Sequence, residues 1–282
     1  MLAAAIAAFA VTGARAAWWV ENDYSTGSND LKKDSFTVFN KASRVLAAGL
    51  NASFYSDSAG YKDRIYSFHL PLMYSGPTYF ISLKPFLYPV SPSTGSGASG
   101  GKLYFLTSLS EGQDESYTHL SLSGAWARQK AFVNEAGTLD RKTFSQSAVE
   151  VQAEKSFYGQ FFFQASAAGF SKPPGISNSA LVRPVLDQSE LAYLGAFQQL
   201  TAIPEWALTV QLARNMQPDF DSHLYAGYSK ISFRQADLAN SLVFGMKLNL
   251  NGKSNLDLAY NAYKQERSDW KSYYKIFLQL FF

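Results

Sequence analysis

The chain has 282 residues, 17% of them charged and 16% aromatic, and a formal net charge of only +3. So weak a field excludes the strongly basic surface that nucleic acid requires, and no nucleic-acid partner is expected. The sequence holds no cysteine, which excludes disulfides, thiol nucleophiles and thiolate metal sites.

The one long apolar run stands at the front, in "MLAAAIAAFAVTGARAA". It is rich in alanine and ends in the small-x-small triplet Ala14-Arg15-Ala16, so residues 1–16 read as a secretory signal peptide cleaved after Ala16. No later stretch reaches the 18 or so uninterrupted apolar residues of a spanning helix. Residues 17–282 are expected to form one exported domain without a transmembrane helix.

From Ala17 onward period-two alternation replaces helical periodicity. Fourteen strands are expected, at 17–24, 35–41, 45–56, 64–74, 78–90, 102–110, 117–129, 143–154, 158–170, 190–200, 206–216, 240–250, 254–264 and 272–282. Each has an apolar and a polar face. The third carries Asn51 on its polar face, and the fourth sets Tyr66, Phe68, Leu70, Leu72 and Tyr74 against Ser67 and His69. The fifth offers Lys84; the eighth opposes Val149, Val151 and Ala153 to Glu150, Gln152 and Glu154; the ninth offers Gln160 and Gln164. Later strands add Gln211, Lys247, Asn249, Asp257 and Asn261. The last, "YYKIFLQLFF", alternates Tyr274, Ile276, Leu278, Leu280 and Phe282 with Lys275 and Gln279.

Short connections (41–44, 75–77, 111–116, 155–157, 201–205, 251–253) alternate with longer polar ones (25–34, 57–63, 91–101, 130–142, 171–189, 217–239, 265–271). An antiparallel up-and-down meander with short turns at one rim and long loops at the other gives this pattern, as in transmembrane β-barrels. "SHLYAGYSKISF" at 222–233 alternates weakly. A fifteenth strand would put one terminus on the wrong side, so this segment is expected within the longest outer loop. The alternative is twelve strands, with residues 17–44 as a periplasmic arm.

Three features place lipid outside. The apolar faces exceed what a small soluble barrel can enclose. Aromatic residues cluster near strand ends, at Trp18, Trp19, Tyr55, Tyr74, Tyr79, Tyr88, Phe157, Tyr158, Trp206, Trp270, Tyr273 and Tyr274, as in an interfacial girdle. The chain also closes on a strand instead of a polar tail. That closing stretch resembles the C-terminal signal of bacterial outer-membrane β-barrel proteins: alternate apolar or aromatic residues and a terminal Phe. The resemblance maps onto Tyr274, Ile276, Leu278, Leu280 and Phe282. It implies integration into outer-membrane lipid and recognition by the barrel-assembly machinery.

The inward face is then Asn51, Lys84, Glu150, Gln152, Glu154, Gln160, Gln164, Gln211, Lys247, Asn249, Asp257, Asn261, Lys275 and Gln279. It mixes amides with charges of both signs, without an arginine ladder or a carboxylate ring. A weakly selective pore for small hydrophilic solutes fits this wall. The competing readings are a polar interior that pairs with itself, loops 171–189 or 217–239 folded in to close the lumen, and a non-conducting barrel that serves as anchor, adhesin or envelope-assembly component. A third class is a lipid hydrolase, since His119-Leu120-Ser121 puts an imidazole and a hydroxyl on one face. That face is the luminal one, away from lipid, so no catalytic residue is assigned. No zinc, calcium-loop, phosphate-loop or dinucleotide motif is present, and no metal or cofactor is expected.

Overall fold

The computed structural model describes residues 17–58, 63–111, 116–135, 137–158, 160–177, 180–200, 202–216, 222–234, 236–250 and 252–282. The expected signal segment 1–16 lies outside these residues, as do parts of the connections 111–116 and 217–239.

The described strands are β1 (Ala17–Gly27), β2 (Leu31–Lys41), β3 (Leu46–Ser56), β4 (Ile65–His69), β5 (Leu72–Ser75), β6 (Tyr79–Tyr88), β7 (Gly97–Glu111), β8 (Tyr117–Glu135), β9 (Thr138–Phe157), β10 (Phe161–Phe170), β11 (Leu181–Arg183), β12 (Pro204–Asn215), β13 (His223–Phe233), β14 (Ala239–Asn249), β15 (Ser254–Gln265) and β16 (Lys271–Phe281). β4 and β5 form one barrel strand broken at Leu70–Pro71, because both pair with β3 and with β6. β11 pairs with β8 at the top of that strand, at Phe132 to Asn134. Setting β11 aside leaves fourteen antiparallel barrel strands. The sheet closes on itself: β1 pairs with β2 on one side and with β16 on the other, and β8 pairs with β9.

Closure follows from the solvent. A hydrocarbon layer offers backbone amides no partners, so a spanning sheet must have no free edge. The alternation then divides the side chains between two environments. On β8, Leu120, Leu122 and Trp126 are exposed on the outer face, whereas Ser121, Ser123, Ala125, Ala127 and Gln129 are buried inside. The same outward apolar belt continues through Phe68, Leu83, Leu103, Val151, Phe163, Leu212, Leu224, Phe244 and Ile276. Most strands have 10–12 residues, close to the about 9–11 that a tilted spanning strand needs.

Four expectations need correction. The twelve-strand alternative fails, because β1 and β2 are paired barrel strands and not an arm. Two expected loops are mostly strand: 25–34 shortens to a single 3-10 turn, Ser28–Asp30, and 130–142 is the top of the tall β8–β9 hairpin. Residues 190–200 are not a strand, and 223–233 is one. The count of fourteen survives because these two errors offset, but β12 runs in the opposite direction to that expected. The weak alternation of β13 has a cause: Tyr225 points inward, where its hydroxyl donates to Asp257 at 2.8 Å, while outward positions include Ala226 and Lys230. Finally, Tyr55, Tyr88 and Tyr273 belong to the interior, at 4%, 2% and 0% exposure, and not to an outer girdle.

The rim at β1's start and β16's end carries the short turns. The opposite rim carries the long connection 171–203. That connection turns into the barrel, and its Ile176, Val185, Leu186, Leu191, Leu194, Leu200 and Ile203 join the inward Tyr55, Phe86, Tyr88, Phe144 and Phe170 in one buried apolar cluster. The core of this protein therefore sits inside the upper half of the barrel.

Candidate functional site

Residues 184–200 cross the lumen as a plug, and the wall holds them from many sides. Asp187 caps a 3-10 turn, Gln188–Glu190, by accepting from the Ser189 amide, and the same carboxylate pairs with Lys33 of β2. Glu190, at the end of that turn, faces Lys84 Nζ at 2.7 Å and the ring nitrogen His69 Nε2 at 3.0 Å. Burial alone would raise the pKa of Glu190. Lys84 and then His69 outweigh it and hold the carboxyl well below the usual carboxylate range.

The orientation of His69 is fixed from behind. Asn51 donates through Nδ2 to Ser35 and Thr37, both at 2.7 Å, which leaves its Oδ1 facing His69 Nδ1 at 2.5 Å. The two imidazole nitrogens are thus held between Asn51 on one side and Glu190 on the other. Main-chain groups of the plug are captured as well. The Tyr55 hydroxyl donates to the Val185 carbonyl, and Gln129 accepts from the Leu186 amide at 3.2 Å. Glu150 accepts from the Tyr193 amide at 3.2 Å, and Asn261 from the Phe197 amide at 3.2 Å. Ser241 donates to the Gly195 carbonyl at 2.5 Å. A buried loop needs such partners, because its backbone has no ladder of its own.

Gly195 lies tight against the wall. Its φ is +58°, and a β-carbon there would collide with the hydroxyl of Ser229. Beneath the 3-10 turn a cavity of about 350 Å³ opens, walled by Lys33, Asn51, His69, Lys84, Ser189, Glu190 and Phe277 among others.

The residues expected to line the lumen fall into three groups. Lys84, Glu150 and Asn261 hold the plug directly, and Asn51 does so through His69. Others pair along the wall: Lys275 with Asp23 at 3.4 Å, Gln279 with Glu21 and Asn255 at 2.8 Å each, Glu154 with the Tyr117 hydroxyl at 2.7 Å, and Asp257 with Tyr225. Lys247 stands in register with Asp257, and Gln164 with Gln211 and Glu154; Gln152 is half-buried on the same face as Glu150. Two sit elsewhere. Gln160 is exposed in the turn after β9, and Asn249 accepts from the Gly252 amide at 2.6 Å to close the β14–β15 turn. At the closing strand Tyr274 and Ile276 are exposed outward, and the Phe282 amide donates to the Trp18 carbonyl at 2.8 Å.

His119 and Ser121 share the inner face. The His119 ring stacks on Tyr117 with centroids 4.2 Å apart, its Nδ1 lies 4.0 Å from Glu154, and Ser121 is 4% exposed. Glu154 comes from the neighbouring strand, so sequence spacing could not reveal it. No group of three or more metal-ligating side chains occurs among the described residues.

A closed fourteen-stranded meander with an apolar outer belt and short turns at the rim of the termini is now complete. Its architecture is that of a transmembrane β-barrel. No family model matches the chain, and no curated protein matches it in sequence. Among solved structures the barrel aligns with OmpT of Vibrio cholerae at 10% identity, covering 94% of this chain and 97% of that one, with a TM-score of 0.49. It aligns with OprB of Pseudomonas putida at 9% identity over 95% and 93% of the two chains, TM-score 0.49. OccK11 (OpdR) of Pseudomonas aeruginosa aligns at 10% identity over 94% and 95%, TM-score 0.44. The likeness is one of overall shape.

Proposed function

We propose that this barrel resides in the bacterial outer membrane and is a pore for small hydrophilic solutes, closed in the state described here by residues 184–200. The observation that carries the reading is the lower wall. Along it stand Glu21, Thr37, Gln152, Gln211, Lys247 and Gln279, polar groups that include charges of both signs and suit a water-filled passage. The test is planar-bilayer conductance. The full mature barrel is expected to be silent or to open rarely, and a variant with 185–199 replaced by a short Gly/Ser linker is expected to give stable open steps. Silence of both folded proteins would remove the pore.

A second reading, a non-conducting anchor, adhesin or envelope-assembly barrel, is favoured by one feature. Leu186, Leu191 and Leu194 are fully buried, and each is worth about 1.5–3 kcal/mol against leaving the plug exposed to water. Lipid hydrolysis is not part of the proposal, because Ser121 is buried inside the barrel, away from lipid.

The closing strand is proposed to be read by the barrel-assembly machinery through its outward phase. Phe282 is 76% exposed and Phe281 lies on the inward phase beside Trp18 and Trp19. Deleting Phe282 is expected to lower the yield of heat-modifiable barrel in membranes more than Phe281→Ala does. Equal yields would count against this phasing.

A further inference from the structure

On the lower wall, away from the plug's ionic anchors, three aromatic rings form an arc. Tyr117 and Phe162 have centroids 6.1 Å apart at 52°, and Phe162 and His223 5.9 Å apart at 56°. The arc walls a cavity of about 180 Å³. On the adjacent rung Glu154, Gln164 and Gln211 stand side by side in register on β9, β10 and β12 and line the same cavity. In register with Phe162 stands Ala213 of β12, whose small side chain also lines the cavity. Tyr225, next along that rung, lies across Gly245 to reach Asp257; a β-carbon at 245 would strike its ring, so the glycine keeps the wall low there.

We propose that this cavity is a binding subsite for a single sugar ring. It deepens the pore reading by naming the solute class, although binding does not require conduction. The volume is below the roughly 300 Å³ at which pockets for drug-sized molecules begin, so one ring fits and a larger ligand does not. A pyranose has C–H faces of slight positive potential, which suit the negative faces of aromatic rings, and a girdle of hydroxyls that both donate and accept. The two amides supply donors and acceptors, and the carboxylate supplies further acceptor capacity. Neither Gln164 nor Gln211 carries a side-chain hydrogen bond among the described residues, so both are available to a ligand.

An organic cation is the competing occupant, since aromatic faces also attract cations. The charges favour the neutral ring. Glu154, the cavity's one carboxylate, already accepts from the Tyr117 hydroxyl at 2.7 Å and faces His119, while Lys247 stands in register beside His223.

The experiment uses the full mature barrel folded in detergent, with folding verified by its heat-dependent gel shift. Saturation-transfer NMR and titration calorimetry with D-glucose are expected to show saturable binding. Phe162→Leu, which keeps volume but removes the aromatic face, and Gln164→Leu should each weaken it at least tenfold. Phe277→Leu, on the far wall, should change it less than twofold. Absence of saturable sugar binding by the folded protein overturns the subsite, as does unchanged binding by both Phe162→Leu and Gln164→Leu. Saturation by tetramethylammonium but not by sugar overturns it in favour of a cation site. Conductance by the plug-deleted variant without sugar binding removes the subsite alone, and sugar binding by a barrel that never conducts removes the pore alone.

Discussion

Above the level of Glu190 the inward positions of the barrel include Leu31, Tyr55, Phe86, Tyr88, Phe144, Phe170 and Tyr273; below it they include Thr37, Gln152, Glu154, Gln164, Gln211, Lys247 and Gln279. One wall, with one alternation, thus meets two solvents. The upper half is dry because the chain supplies its own filling, Ile176 and residues 184–200 with Ile203, and packs it as a soluble protein packs a core. The lower half is left to water and to side chains that bind one another across strands. The difference teaches that a membrane barrel of this width is not obliged to choose between a filled interior and an open one, since a single connection can divide it by depth.

The largest expected effect separates the halves directly. Leu191→Ala removes a fully buried side chain from the plug, and about 2–5 kcal/mol of stability should go with it. The measurement is the temperature at which the folded gel band is lost. A midpoint unchanged from the parent would mean that the upper core is loosely packed.

Glu190→Gln comes next. It leaves Lys84 and His69 facing a neutral amide, a cost of about 1–3 kcal/mol for groups deprived of a charged partner, toward the low end because Lys84 keeps some water. Single-channel recording should show more frequent openings. The pH dependence of the parent follows with its sign. Glu190's pKa is depressed on folding, so its contribution is fully present above the ordinary value of 4.5 and is lost only as pH falls through the lower folded value. Taking the parent from pH 7 to pH 5 should therefore leave the Glu190 anchor in place. Plug release over that interval would mean that another group controls it.

The barrel itself was legible because lipid enforces strict alternation, and strands such as 242–250 and 274–282 have no other reading. The plug was not. "PVLDQSELAYLGAFQQL" carries neither a strand nor a helix period, because each residue answers to a different piece of wall: Asp187 to Lys33, Glu190 to His69 and Lys84, Gly195 to Ser229 and Ser241. A signal did exist on the wall. Phe86, Tyr88, Phe144 and Phe170 stand on the inward phase near the long-loop rim, where a wet lumen would not place them. Three such residues, Tyr55, Tyr88 and Tyr273, pass for an interfacial girdle when phase is ignored. Among the expected lumen residues, phase located twelve on the inner wall, but it could not distinguish those that grip the plug from those that face water, because that depends on a segment distant in sequence.

Gly195→Ala probes the boundary between the two halves. A left-handed φ costs an alanine about 1–2 kcal/mol, and the new methyl would also displace the Ser229 hydroxyl from its bond with Thr209, 2.9 Å away. The expected outcome is a smaller loss of thermal stability than for Leu191→Ala, together with raised conductance if the plug lifts. A stability equal to the parent's would mean that the plug does not press on β13.

The smallest effect tests the wet half. Gln211 lies on the inner wall, only half-buried, with its amide toward the 180 Å³ cavity. Water replaces a ligand there at little cost, so Gln211→Ala should shift stability by about 0.5 kcal/mol or less. A Leu191-sized loss would show that the lower wall, too, is a structural core, and that the polar residues there exist for one another and not for a solute. A neutral result together with weakened sugar binding would separate the two halves by role as well as by composition: the upper half carries the fold, and the lower half is free to carry recognition.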